Sequence, residues 1–249
     1  KLPFFKSGRK KILEQRLAEL VADGEFSDND GQELTDLSVA LGLDAPELSN
    51  IKMGKLLKEF EPLKKCVEAT LMLTDDQLKV IQQLEKKYGV KLNLAGFTDL
   101  YRSIYLLETT GELPPPILTG LMLKPDEAVY HGISTIWHQT RVKNHGYSGL
   151  STSIPTGIKG VRFRFGSYTP IRSEEMTPLS TGNLYVTSER LLFNGEARNT
   201  TITLGKIVDC HVFSDSLKVE KSTGKPDLFS MNAPQARYIL ALIGALKQL

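Results

Sequence analysis

Cysteine is nearly absent from this chain: Cys66 and Cys210 are the only two among 249 residues. Two thiols so far apart make no disulfide framework. That excludes the small stapled scaffolds of oxidising compartments and points to a reducing, cytoplasmic setting. No apolar run approaches the ~18 residues that cross a bilayer, and no secretory signal pattern is visible. The chain opens at Lys1 rather than methionine; it reads as trimmed or as a fragment, which leaves an upstream membrane anchor open. A dominant charge is missing too, since 31 basic residues face 29 acidic ones for a formal +2. A dedicated nucleic-acid binder usually carries a strongly basic face, so nucleic acid is not an expected partner. What remains is ordinary for a globular protein. Hydrophobic residues make up 41% and charged ones 24%, enough to bury a sizeable core in one large domain or two modest ones.

Patterns that carry chemistry are also lacking. There is no G-x-x-x-x-G-K-[ST] loop and no G-x-S-x-G elbow. His131, His138 and His145 recur every seven residues, but on a strand that spacing alternates faces and spans more than about 20 Å. No HExxH, CxxC or H-x-H pattern accompanies them. Cys210 and His211 are adjacent and so face apart on a strand; both cysteines are expected to be buried and structural. The acidic stretch Asp23–Gly31 fails as a calcium loop, because Asp28 and Leu34 stand where glycine and glutamate are needed. Begun at Asp28, the loop fails again, with Glu33 in the glycine place. Acidic residues at a helix start fit capping and the helix dipole instead. The expectation is a non-enzyme with no cofactor and no metal.

Residues 9 to about 110 have helical periodicity. Ile12, Leu13, Leu17, Leu20 and Val21 fall on one stripe. Ser27 with Asp30 gives an S-x-x-D start, followed by Leu34, Leu37, Val39 and Leu41 before Gly42. Leu48–Phe60 and Pro62–Leu73 read as two further helical pieces. A second start, Thr74-Asp75-Asp76-Gln77, leads through Ile81, Leu84 and Tyr88 to Gly89-Val90. An offset of 47 lays Ser27 on Thr74, Leu37 on Leu84 and Gly42 on Gly89. That fits an internal duplication, and equally any two capped helices. The run Leu20-Val21-Ala22-Asp23-Gly24-Glu25-Phe26-Ser27, with Leu37 and Leu41-Gly42-Leu43, resembles tellurite-resistance-B-like helical domains over roughly residues 10–90. The resemblance implies a compact accessory bundle that binds partners.

Gly111-Glu112-Leu113-Pro114-Pro115-Pro116 stops the helical pattern, since consecutive prolines favour extended backbone and donate no hydrogen bonds. The expected organisation is an α+β chain of two domains. An all-α bundle (1–112) and a proline-rich linker (113–120) precede an antiparallel β sandwich or barrel with a C-terminal capping helix (121–249). Val161, Phe163 and Phe165 alternate with Arg162 and Arg164 as on a half-buried strand. Asn183–Thr187 and Arg190–Phe193 form an expected hairpin closed by Ser188-Glu189, with a further turn at Asn194-Gly195. Strands at Thr200–Leu204, Ile207–Phe213 and Leu217–Glu220 continue the meander. A turn at Thr223–Pro226 precedes Leu228-Phe229, and Asn232 caps a last amphipathic helix. Gly182-Asn183-Leu184-Tyr185-Val186-Thr187-Ser188-Glu189-Arg190-Leu191-Leu192-Phe193-Asn194-Gly195 carries a second resemblance. Leu123-Lys124-Pro125-Asp126-Glu127 lies upstream of it and Ile202–Glu220 downstream. Together they are similar to GRAM and bacterial pleckstrin-homology-like domains. The resemblance implies a sheet sandwich that binds lipid headgroups, peptides or proteins, and the fold alone does not choose among them.

The candidate ligand- or partner-binding residues are basic: Arg141, Lys143, Lys159, Arg162, Arg164 and Arg172, concentrated in the first half of the barrel. Cations on one surface each add about 1 kcal/mol toward an anionic bilayer, though a solvated strand face looks the same in sequence and Glu174 and Glu175 oppose the field. Phe4-Phe5-Lys6 with Arg9, Lys10 and Lys11 reads as a membrane-touching tail or as the first turn of a helix. The expectation is a binding and scaffolding protein with a protein partner. The alternative is peripheral attachment to anionic lipid, and a third reading is an enzyme of unfamiliar type with a site joining His138, His145 and Cys210.

Overall fold

The computed structural model describes residues 5–22, 24–148, 152–155, 162–165 and 169–248, with backbone alone between 140 and 176. The chain divides into two compact units, Lys1–Gly111 and Glu112–Leu249.

The first unit is α1 (Lys6–Leu20), α2 (Asp28–Ala40), α3 (Ala45–Thr70), α4 (Asp75–Tyr88) and α5 (Ala95–Thr109). Both start signals are realised. Ser27 Oγ accepts from the Asp30 amide while the Asp30 carboxylate accepts from the Ser27 amide, and Thr74 with Gln77 does the same at α4. A third capping box, which the sequence reading passed over, joins Asp44 to Glu47 at the head of α3. Gly42 and Gly89 both take the left-handed backbone that glycine tolerates, at φ 64° and 60°. Around Pro62 the expectation fails: α3 runs through it as one helix. Proline removes a ladder donor, but Leu56, Phe60 and Val67 are buried on both sides of it, and packing of this kind supplies most helical stability. Val39 is a second departure, 71% exposed. It lies five residues past buried Leu34, about 140° around the helix and off the stripe.

The loop before α2 is pinned by Phe26. Its ring packs so closely on Gly89 that a Cβ there would overlap it, and the Lys52 ammonium sits 4.1 Å above the ring. At the far end, the Tyr101 carbonyl accepts from the Leu73 amide and Arg102 pairs with Asp75, tying α5 to the start of α4.

The second unit holds a seven-stranded antiparallel sheet and a closing helix. Its strands are β1 (Val129–Ser148), β4 (Thr169–Thr187), β5 (Arg190–Gly195), β6 (Thr200–Thr203), β7 (Ile207–Val212), β8 (Ser216–Lys221) and β9 (Asp227–Ser230). They are ordered β6-β5-β4-β1-β9-β8-β7. β2 (Thr152–Pro155) and β3 (Arg162–Phe165) pair separately as a two-stranded sheet. Asn232 caps α6 (Ala233–Leu246) by accepting from the Gln235 amide, and α6 packs on β4, β7 and β8. The buried face joins Leu184, Val186, Leu191, Phe193, Val219 and Phe229 with Ile239 and Leu242 of α6. Trp137 and Phe229 flank Phe193 at ring separations of 5.7 and 5.8 Å.

The expected hairpin forms, with Leu184 opposite Phe193 and Val186 opposite Leu191. The expected turn at Asn194-Gly195 does not: both residues stay in β5, with Gly195 opposite Gly182, and the reversal falls at 196–199. The glycine pair is a packing requirement, because a Cβ on Gly182 would overlap the Asn194 and Gly195 backbone. The stretch after the three prolines is also laid down on the sheet, the Ile117 amide donating to the Val129 carbonyl at 2.7 Å.

Candidate binding surface

β1 and β4 are 20 and 19 residues long, far longer than their neighbours. β5 meets β4 only over Gly182–Val186, and β9 meets β1 only over Trp137–Gln139. Beyond those points, among the described pairings, β1 and β4 continue as a two-stranded ribbon from Thr140 to Ser148 against Thr169 to Met176. At ~3.3 Å per residue this arm extends about 25–30 Å. Three candidates are on its backbone. Arg141 stands opposite Glu175, Lys143 opposite Ser173, and Arg172 opposite Asn144, one residue out of phase with the first two. Arg162 and Arg164 are in β3, opposite Pro155 and Ser153. They lie outside the seven-stranded sheet, which corrects their expected place in the barrel wall. Lys159 lies outside the described residues, as do the side chains of the other five. The strand register thus intermixes acidic and basic positions along the arm rather than assembling one basic face.

The histidines do not converge. His131 is half-buried with its ring 4.9 Å from that of Tyr238 on α6, and burial holds it below the ordinary imidazole range. His138 shares a 2.8 Å hydrogen bond with Ser230 Oγ. His211 lies on β7 between Asp209 and Glu220, at 3.3 and 3.4 Å. The side chain of His145 is outside the described residues. Cys210 is half-buried, and burial next to Asp209 pushes its thiol up to about 11, too high for a thiolate nucleophile at neutral pH. Cys66 departs from expectation: it is exposed on α3, where its sulfur accepts from Gln77 Nε2 at 3.6 Å. Among the described residues no three His, Cys, Asp or Glu side chains are arranged to hold a metal.

The basic N-terminal segment starts α1 and is internally engaged. Lys6 and Lys10 both pair with Glu47, and together they lower its carboxyl to about 2. Arg9 donates to the Leu41 carbonyl just past the end of α2. Of the acidic stretch that suggested a calcium loop, Asp23 is outside the described residues; Ser27 and Asp30 are spent on the cap. No helix among the described residues is long and apolar enough to cross a membrane.

Among the described residues of the second unit, two buried carboxylates carry the densest polar networks. Lys124-Pro125-Asp126-Glu127 is a turn with Asp126 at φ 63°, closed by the Glu127 amide donating to the Lys124 carbonyl. It delivers the Glu127 carboxylate under the hairpin, where Arg190 donates to both oxygens at 2.8 Å and Thr187 donates at 2.6 Å. Chiefly through Arg190, this network lowers the Glu127 carboxyl to about 2. The second is Asp227, fully buried, which accepts from the Trp137 indole at 2.9 Å and from Lys221 at 2.6 Å. Sequence reasoning singled out Thr187 and Arg190 through a motif but missed Asp227. Its only local signal is an acidic residue leading into Leu228-Phe229. The threonine and arginine of that motif therefore hold the Glu127 corner of the sheet, and its two glycines let β4 and β5 approach closely at the other end of their pairing.

No family model matches the chain, and no curated protein matches it. Among solved structures, the C-terminal domain of an unknown protein from Leishmania infantum is similar to 49% of this chain across 87% of its own length. The identity is 11% and the TM-score 0.29.

Proposed function

We propose that residues 112–249 form a pleckstrin-homology-type, GRAM-like binding module that engages a protein partner without catalysis. It is joined to a helical unit of the tellurite-resistance-B-like kind. Strand order is the observation that carries this reading. β1, β4, β5 and β6 follow one another across the sheet, then β7, β8 and β9 return so that the last strand pairs with the first, and α6 packs over the result. The structural use of Glu127, Gly182, Thr187, Arg190 and Gly195 supports it further, because the residues that carry the resemblance are those that shape the sheet.

A protein partner is favoured over anionic lipid by charge placement. A bilayer rewards cations of one sign close to one plane, whereas on the arm Glu175 faces Arg141 and Glu174 faces Val142 in register. Mixed charge of this kind gives specificity and register between proteins. The test is co-sedimentation with neutral and anionic vesicles across a salt series, using the parent and the double variant Arg162→Glu/Arg164→Glu. Little vesicle binding is expected. Anionic-selective binding that both salt and the charge reversal abolish would replace this reading with membrane attachment. Affinity capture run in parallel should return a protein that the parent retains and the double variant loses.

A further inference from the structure

The helical unit is strongly polarised in charge. Between Arg16 and Lys52 the chain has nine acidic residues and no basic one, and most of them belong to α2 and its flanks. The same region carries an open groove of about 700 Å³ between α1 and α2. Its apolar lining is Ile12 and Leu37 with the small Ala40, and its rim is Glu19, Glu33 and Asp36. Arg16 is the one cation that lines it. It is already committed, bound to Glu33 at 2.6 Å and to Glu19 at 2.7 Å. Among the described residues, Asp36 has only the neutral amide of Gln32 as a partner, at 2.9 Å. Val39, one turn further along α2, adds exposed apolar surface beside Asp36.

We propose that this groove docks an amphipathic helix of basic character from a partner protein. Each feature fits that occupant. Two helices side by side leave a furrow that takes the apolar stripe of a third, read out by side chains at i, i+3, i+4 and i+7. Ala40 keeps one wall low, so a leucine-sized side chain can reach Ile12 and Leu37. The rim then stands where the flanking positions of such a helix project, and lysine or arginine there meets Asp36 and the outer oxygens of Glu19 and Glu33. An acidic segment would be repelled from the same rim, and a flat basic surface without an apolar stripe would leave the floor unfilled. The groove is shallow, so binding is expected in the micromolar range, with charge governing encounter and apolar contacts governing residence. This inference concerns the helical unit alone and does not depend on the reading of the sheet.

The experiment uses the full chain and a labelled helical peptide of about 18 residues, leucines at helical spacing flanked by lysines. A glutamate-for-lysine version and a proline-interrupted version serve as controls. Amide chemical shifts should move along α1 and α2 with the lysine peptide only. Asp36→Lys should weaken binding about tenfold or more, and Leu37→Asp should weaken it comparably. Asp99→Lys, on α5, changes net charge equally and should leave affinity within about twofold at ~0.15 M salt. Ala40→Leu, which fills the groove without altering charge, should also weaken binding and serves if Leu37→Asp disturbs folding. Shifts centred elsewhere, equal losses for Asp36→Lys and Asp99→Lys, or no saturable binding would overturn the proposal. Self-association of the chain that Asp36→Lys abolishes, without peptide binding, would replace the partner helix with a second copy.

Discussion

In the helical unit the capping boxes that start α2, α3 and α4 reach only three residues along the chain: Ser27 to Asp30, Asp44 to Glu47, Thr74 to Gln77. In the β unit the buried carboxylates bridge long separations. Glu127 is tied to Thr187 and Arg190, and Trp137 to Asp227. The first kind of device sits in solvent, is local, and can be replaced by water at modest cost. The second is buried, so its partners are held by the whole sheet, and losing one of them leaves a charge with nowhere to go. The two units are therefore expected to respond differently to single substitutions, and they can be watched separately. The chain has one tryptophan, Trp137, which reports the β unit, while far-UV circular dichroism is weighted toward the helices.

Arg190→Ala tests the contrast hardest. It strands the Glu127 carboxylate, whose side chain is fully buried, and breaking a buried pair costs about 3–5 kcal/mol. Denaturation followed by Trp137 fluorescence should show a loss of that size. A loss under about 1 kcal/mol would mean that water reaches Glu127 and that the corner behaves like a surface pair.

Acid titration is expected to have the next largest effect. The Glu127 carboxyl lies at about 2 in the fold against an ordinary 4.5. A depressed folded value means that the stabilisation is fully present above about 4.5 and is lost as pH falls from there toward 2. Up to about 3 kcal/mol is at stake for a shift of this size. In the helical unit Glu47 is lowered comparably by Lys6 and Lys10, but those lysines are largely exposed, so that contribution should fade as salt is raised. The Glu127 contribution should persist in high salt and vanish in Glu127→Gln. An acid transition of Trp137 fluorescence that salt removes would erase the distinction.

Gly182→Ala comes third. The added methyl would overlap the backbone of Asn194 and Gly195, and overpacking of this kind costs about 1–3 kcal/mol. Gly54→Ala is its counterpart in the helical unit. A Cβ there meets nothing within 4 Å, and the higher helix propensity of alanine should stabilise α3 by up to about 1 kcal/mol. Opposite signs for one chemical change would sharpen the comparison; a neutral Gly182→Ala would show that the strands can separate at that pair.

The same contrast explains what could be read from the chain. Ser27, Thr74, Gly89 and Asn232 announce helix ends because capping chemistry is local. The Thr187–Arg190 hairpin was likewise visible because its strands are consecutive. Pro62 misled, since its local penalty is overridden by Leu56, Phe60 and Val67 in the core. Asn194-Gly195 misled for the opposite reason: the glycine answers to Gly182 across the sheet rather than to a turn. Neither Asp227 nor the partnership of Glu127 with Arg190 can be found by scanning windows, because each exists only once distant strands are paired. The candidate cations were legible as residues, but their division between the arm and the two-stranded β2–β3 sheet exists only once the strands are paired.

Thr74→Ala is the smallest expected effect and the most discriminating test of the local side of the comparison. Thr74 Oγ1 accepts from the Gln77 amide and the Gln77 side chain accepts from the Thr74 amide, so alanine removes one half of the box and leaves the other weakened. Caps of this kind contribute about 1 kcal/mol. Thermal unfolding followed by far-UV circular dichroism should move by that amount and no more, and Thr74→Ser should restore it, because serine returns the same oxygen without the methyl. If serine fails to rescue, the methyl rather than the hydroxyl carries the effect. The start of α4 would then be held by packing around half-exposed Thr74 rather than by its cap, and the helical unit would depend on tertiary contact as fully as the sheet does.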